Sequence, residues 1–84
     1  MNKTPFGRRL SQLREDRGLT QEELAARLQS AGFALASQQE ISNWEIRPNR
    51  RLYPLAFEAL RRVLGLDLEE ARELAVLWAY SATL

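Results

Sequence analysis

The sequence predicts an all-α fold, a small bundle of five helices. Three capping signatures mark helix starts: Thr20 with Glu23, Ser37 with Glu40, and Asp67 with Glu70, each pairing a cap oxygen with a carboxylate three residues on. Apolar residues follow the starts at helical spacing, in runs short enough for a small domain. Gly18, Gly32 and Gly65 stand where those runs end, as left-handed C-caps would.

In chain order, Met1 to Lys3 read as a frayed end, and Thr4 caps a first helix with Pro5 at its first position. Phe6, Leu10 and Leu13 form its core stripe. The second helix opens at Thr20 and runs to about Ala31, with Leu24, Ala25 and Leu28 inward and the small Ala25 allowing close helix approach. Glu22 and Glu23 lie in its first turn, where carboxylates complement the helix dipole. Nothing apolar surrounds them to raise a pKa, so they read as structural. Phe33 and Leu35, in the connection that follows, are expected to be buried locally.

The third helix begins after Ser37. Ile41 and Trp44 point one way, and Gln38, Gln39, Ser42 and Asn43 share the opposite arc. A plain surface helix favours Glu and Lys, which are better helix formers than Ser and Asn. Gln and Asn carry a donor and an acceptor on one planar group, which matches the N6/N7 edge of adenine. The same arc also reads as an uncharged solvated face, and these residues alone leave both readings open. Pro48 stops the helix near Glu45 or Ile46. Arg47, Asn49, Arg50 and Arg51 then form the most basic stretch, placed for phosphates or simply for solvent.

A fourth helix spans Leu52 to Leu64, with Tyr53, Phe57, Leu60 and Leu64 on one stripe. In the fifth, Leu68, Ala71, Leu74, Ala75, Trp78 and Ala82 are assigned inward, and Val76, Leu77, Tyr80 and Leu84 outward. No charge follows Glu73, so this helix is expected to meet a partner or to curl into its own core.

Composition narrows the function. The 84-residue chain has room for one small core, and there is neither Cys nor His, which removes a disulfide framework, thiolate chemistry, the commonest general base and the commonest zinc ligand. No Gly-rich phosphate loop or metal-ligand spacing occurs, so an enzyme is not expected, and no cofactor or small-molecule effector is implied. An apolar signal segment and a run long enough to cross a bilayer are also missing, so a cytoplasmic, nucleoid-associated protein is expected. The net charge is only +1, but it is unevenly spread. Residues 1–51 carry nine Lys and Arg against six Asp and Glu, net +3, while residues 52–84 carry three against five, net −2.

The stretch from Leu19 to Ala25, followed by Ser37-Gln38-Gln39-Glu40-Ile41-Ser42-Asn43-Trp44-Glu45, resembles the Cro/cI phage-repressor-type (XRE-like) helix-turn-helix DNA-binding family. The likeness reaches from about Phe6 to Leu66 and includes Arg14 in the first helix. It implies a lambda-repressor-like domain over residues 1–66; beyond the likeness, the apolar pattern of residues 67–84 marks a C-terminal helix expected to pack on that domain and to offer a dimer or partner surface. The likeness implies sequence-specific binding of double-stranded DNA, most readily as a bacterial or phage repressor acting as a homodimer on a palindromic operator. Gln38, Gln39, Ser42 and Asn43 would face bases, and Gln21, Arg47, Asn49, Arg50 and Arg51 would anchor phosphates. Arg14 would pair with Glu45, a carboxylate that burial beside Trp44 would leave in need of a cation. Val76, Leu77, Tyr80 and Leu84 would form the dimer surface. One departure is the extended turn, Gln29 to Ala36, where the family has a few residues. The alternative is a protein-interaction module, an adaptor or antitoxin, working through the apolar C-terminal helix.

Overall fold

In a computed structural model, which describes residues 3–47 and 54–82, the chain folds into five helices: α1 (Pro5–Asp16), α2 (Gln21–Ser30), α3 (Gln38–Ile46), α4 (Pro54–Leu64) and α5 (Leu68–Ala82). The capping residues act as their spacing implies. The Thr20 hydroxyl accepts from the Glu23 N–H at 3.1 Å, and the Glu23 carboxylate accepts from the Thr20 N–H at 2.9 Å. Asp67 and Glu70 repeat this reciprocal pair at 2.7 and 3.1 Å. The Ser37 hydroxyl accepts from the Glu40 N–H at 3.1 Å, and Thr4 caps α1 by accepting from the Gly7 N–H at 2.9 Å.

The core is assembled from one stripe per helix. Phe6, Leu10 and Leu13 of α1 meet Leu24, Ala25 and Leu28 of α2, Ile41 and Trp44 of α3, Ala56, Leu60 and Leu64 of α4, and Leu74 of α5, all buried. In this arrangement α1 packs on α3 and α5, and α2 packs on α3 and α4. Arg17 ties the far end together, donating to the Leu64 carbonyl at 2.8 Å and to Glu70 at 3.1 Å.

The connection between α2 and α3 is anchored at both shoulders. Gly32, at φ 103°, ends α2 in a Schellman closure: its N–H donates to the Gln29 carbonyl, and that of Phe33 donates to the Leu28 carbonyl at 2.9 Å. Gly18 and Gly65 close α1 and α4 in the same pattern. Phe33 lies half-buried against Trp44 with ring centroids 6.3 Å apart, and Ala36 is buried, its carbonyl accepting from the Gln29 side-chain amide. Leu35 departs from expectation: it is 77% exposed. With Phe33 and Ala36 turned inward, the tip between them faces solvent.

α5 also corrects the sequence reading. Its packed arc centres on Leu74, with Ala71, Leu77 and Trp78 half-buried beside it. Leu77 therefore belongs to the inner side, because three residues on from Leu74 is about one turn of helix. Leu68 and Ala75, assigned inward from sequence, lie about a third of a turn off that centre and are exposed. Val76 and Tyr80 do face outward, at 62% and 56% exposure. Among the described residues no helix is long and apolar enough to cross a membrane.

Candidate nucleic-acid interface

α3 sorts its residues by polarity as the sequence predicts. Ile41 and Trp44 are buried, Gln38 and Gln39 are exposed, and Ser42 and Asn43 are half-exposed. The helix ends at Ile46, and Arg47 has extended backbone at φ −106° and ψ 119°, the conformation favoured before Pro48. Arg47 is exposed and donates to Asn43 Oδ1 at 3.1 Å. The Pro48 stop, the predicted phosphate contacts Asn49, Arg50 and Arg51, the start of the fourth helix at Leu52 and Tyr53, and Leu84 lie outside the described residues.

A buried charge fixes α3 on the bundle. Glu45 is fully buried and Arg14 only 7% exposed. Arg14 Nε donates to Glu45 Oε2 at 2.9 Å, and Arg14 Nη1 donates to the Leu19 carbonyl at 2.8 Å. Lys3 Nζ is 3.7 Å from Glu45 Oε1 and donates to the Ser11 hydroxyl at 2.7 Å. Burial alone would raise the Glu45 carboxyl pKa. Hydrogen bonds from Arg14, Ser11 and Gln21, with the Arg14 charge, outweigh it and hold the group below the usual carboxylate range. The pair named from the resemblance is thus present, within a larger donor set than Arg14 alone.

That set extends to the helix surface. Gln21 Nε2 donates to Glu45 Oε1 at 3.0 Å, and Gln21 Oε1 accepts from Gln38 Nε2 at 2.8 Å. Gln21, at the first turn of α2, thereby joins the buried carboxylate to the first exposed glutamine of α3. Gln39 Nε2 donates to Asn43 Oδ1 at 3.2 Å, one turn along the helix.

Sequence reasoning overlooked Gly7. It is buried in α1, and a Cβ built there would overlap the carbonyl of Glu45. The backbones of α1 and α3 meet at this point, so Gly7, with Ser11 and Arg14 one and two turns on, forms the seat for the end of α3. The signal was available, because glycine inside a helix costs about 1 kcal/mol relative to alanine and calls for a packing reason.

Two consecutive helices, α2 packed on α3, with a polar outer face on the second and a buried brace beneath it, define a helix-turn-helix domain, a DNA-binding supersecondary unit. A family model described as "Helix-turn-helix domain" matches residues 5–74, and the chain belongs to that family. The match spans α1 to Leu74 of α5 and runs across the extended turn. Curated proteins and solved structures gave no match.

Proposed function

We propose that the domain binds double-stranded DNA in a sequence-specific manner and acts as a transcriptional regulator, a repressor in the simplest case. The observation that carries this reading is the sorting of α3, which buries Ile41 and Trp44 and turns Gln38, Gln39, Ser42 and Asn43 outward. In this reading α3 enters the major groove and those four side chains meet base edges. Gln21 and Arg47, with Asn49, Arg50 and Arg51 just beyond, hold phosphates on either side. The buried Arg14–Glu45 pair supports the reading, because base recognition requires a helix held in one orientation on its scaffold.

A gel-shift titration against a random duplex pool at two salt concentrations tests this. A DNA binder loses affinity steeply as salt rises. Gln39→Ala should then cost about 1–3 kcal/mol on the best selected site and relax preference at one or two base pairs. Equal binding of parent and variant across a site library would remove Gln39 from the base contacts.

We also infer that two copies pair through the outer side of α5. Leu68, Val76 and Tyr80 are 72%, 62% and 56% exposed there, which supports a contact surface. A two-fold pair would carry two α3 helices and suit a palindromic site with half-sites roughly 34 Å apart. The same exposure would serve the alternative, an adaptor or antitoxin that holds a different protein on this face.

A further inference from the structure

The amide groups on α3 have a fixed direction, and charge sets it. A guanidinium only donates hydrogen bonds. The Asn43 atom that faces Arg47 Nε at 3.1 Å is therefore the carbonyl oxygen. Gln39 faces that same oxygen at 3.2 Å, so it presents its NH2 group. Both lone pairs of Asn43 Oδ1 are then engaged, and its Nδ2, with two N–H donors, has no partner among the described residues.

This changes what Asn43 can read. An asparagine recognises adenine with both ends of its amide, accepting from N6 and donating to N7. Here the accepting end is occupied by Arg47 and Gln39. We propose that Asn43 is a specificity-determining residue that acts as a donor only and selects guanine, whose N7 and O6 are both acceptors in the major groove. Adenine would still offer N7 to one donor of Asn43, but it sets its N6 donors where guanine has the O6 acceptor, so the second contact is lost and two amines oppose each other. Arg47 acts here as a positioning residue, locking the amide while the rest of its guanidinium faces the backbone of the duplex. The proposal rests on the groove-binding reading of α3 and adds the base class to it.

The test is selection of sites from a random duplex pool with the full chain and three variants, each checked for parent-like helical content and urea midpoint. Asn43→Ala identifies the base pair that Asn43 reads, as the position whose preference relaxes. The parent should prefer guanine over adenine there by roughly tenfold. Asn43→Asp keeps an oxygen for Arg47 and Gln39 but replaces the donors with a second acceptor, so preference should pass to cytosine, whose N4 donates. Arg47→Ala removes the lock and should admit adenine alongside guanine. A parent that prefers adenine at that position, or an Asn43→Asp variant with unchanged preference, overturns the proposal while leaving DNA binding intact. A parent that selects no sequence but binds every duplex with a steep salt dependence also overturns it. Failure of the parent to bind duplex DNA at any salt concentration overturns the underlying reading, and the proposal with it.

Discussion

Replacing Glu45 with glutamine tests the brace beneath α3. Glu45→Gln keeps the shape and removes the charge, leaving the Arg14 guanidinium, only 7% exposed, without its anion. Breaking one side of a buried pair costs about 3–5 kcal/mol. The lower end applies here, because Arg14 keeps the Leu19 carbonyl at 2.8 Å and has Glu15 at 3.8 Å. At the usual stability per residue, a loss of about 3 kcal/mol is a large part of what a domain this small possesses. With a urea m-value near 1 kcal/mol/M, the midpoint should fall by roughly 2–3 M. Arg14→Met should be comparably damaging. The double variant should recover part of the loss, giving a coupling of at least about 1 kcal/mol in a double-mutant cycle. Acid titration supplies an independent check. The Glu45 carboxyl lies lower in the folded state than in the unfolded chain. Its contribution is therefore fully present above the unfolded value, about 4.3, and is lost as pH falls through the folded one. The parent should lose stability in that window more steeply than Glu45→Gln. Strict additivity in the cycle, together with identical acid profiles, would refute the brace.

Gly7→Ala should destabilise by roughly 2–3 kcal/mol, reversing the gain that this change brings in an exposed helix, because the added methyl meets the Glu45 backbone. Thermal unfolding measures it, and a midpoint equal to or above the parent's would show that α1 and α3 can separate freely. Arg50→Ala and Arg51→Ala should each weaken all duplexes alike and lower the salt slope by about one unit. If either instead changes the preferred sequence at constant slope, that arginine reads bases. Val76→Glu combined with Tyr80→Glu should leave the monomer helical, abolish pairing in sedimentation, and reduce affinity for a palindrome but not for a half-site. Leu77 is left alone in this variant because it packs inward. A parent that is already monomeric at high concentration would end the pairing argument.

The fold was readable because four of the five helices carry their own local start. Thr4, Thr20, Ser37 and Asp67 are caps whose hydrogen bonds span three residues, and such local interactions follow from spacing alone. The buried faces of α1 to α3 followed from helical period. The reading failed where local pattern stopped deciding. In α5 nearly every residue after Glu73 is apolar, so two inward arcs were equally available. Packing against α1 selected the one centred on Leu74, which drew in Leu77 and released Leu68 and Ala75. Leu35 misled for a related reason: the connection turns Phe33 and Ala36 inward and leaves its tip, Ala34 and Leu35, outside.

The candidate interface divides along the same line. Residue types on the outer arc of α3 were legible, because 100° per residue places Gln38, Gln39, Ser42 and Asn43 together. The direction of each amide was not, because glutamine and asparagine can present either end. Direction comes from groups that hydrogen-bond in only one sense, and two of them set the amides of α3, Glu45 through Gln21 and Arg47 directly. The buried Glu45 carboxylate only accepts, so Gln21 must offer it NH2, turn its oxygen to Gln38, and leave the Gln38 oxygen outward. Arg47 only donates, so Asn43 must give it oxygen and turn NH2 outward. The helix thus shows an acceptor near its start and donors near its end, and that polarity depends on contacts between residues 21 and 45, 21 and 38, and 43 and 47. Two of the three join residues seventeen or more apart, across two helices. Sequence spacing along one helix cannot supply them, which is why the face could be named before its donor and acceptor order could be.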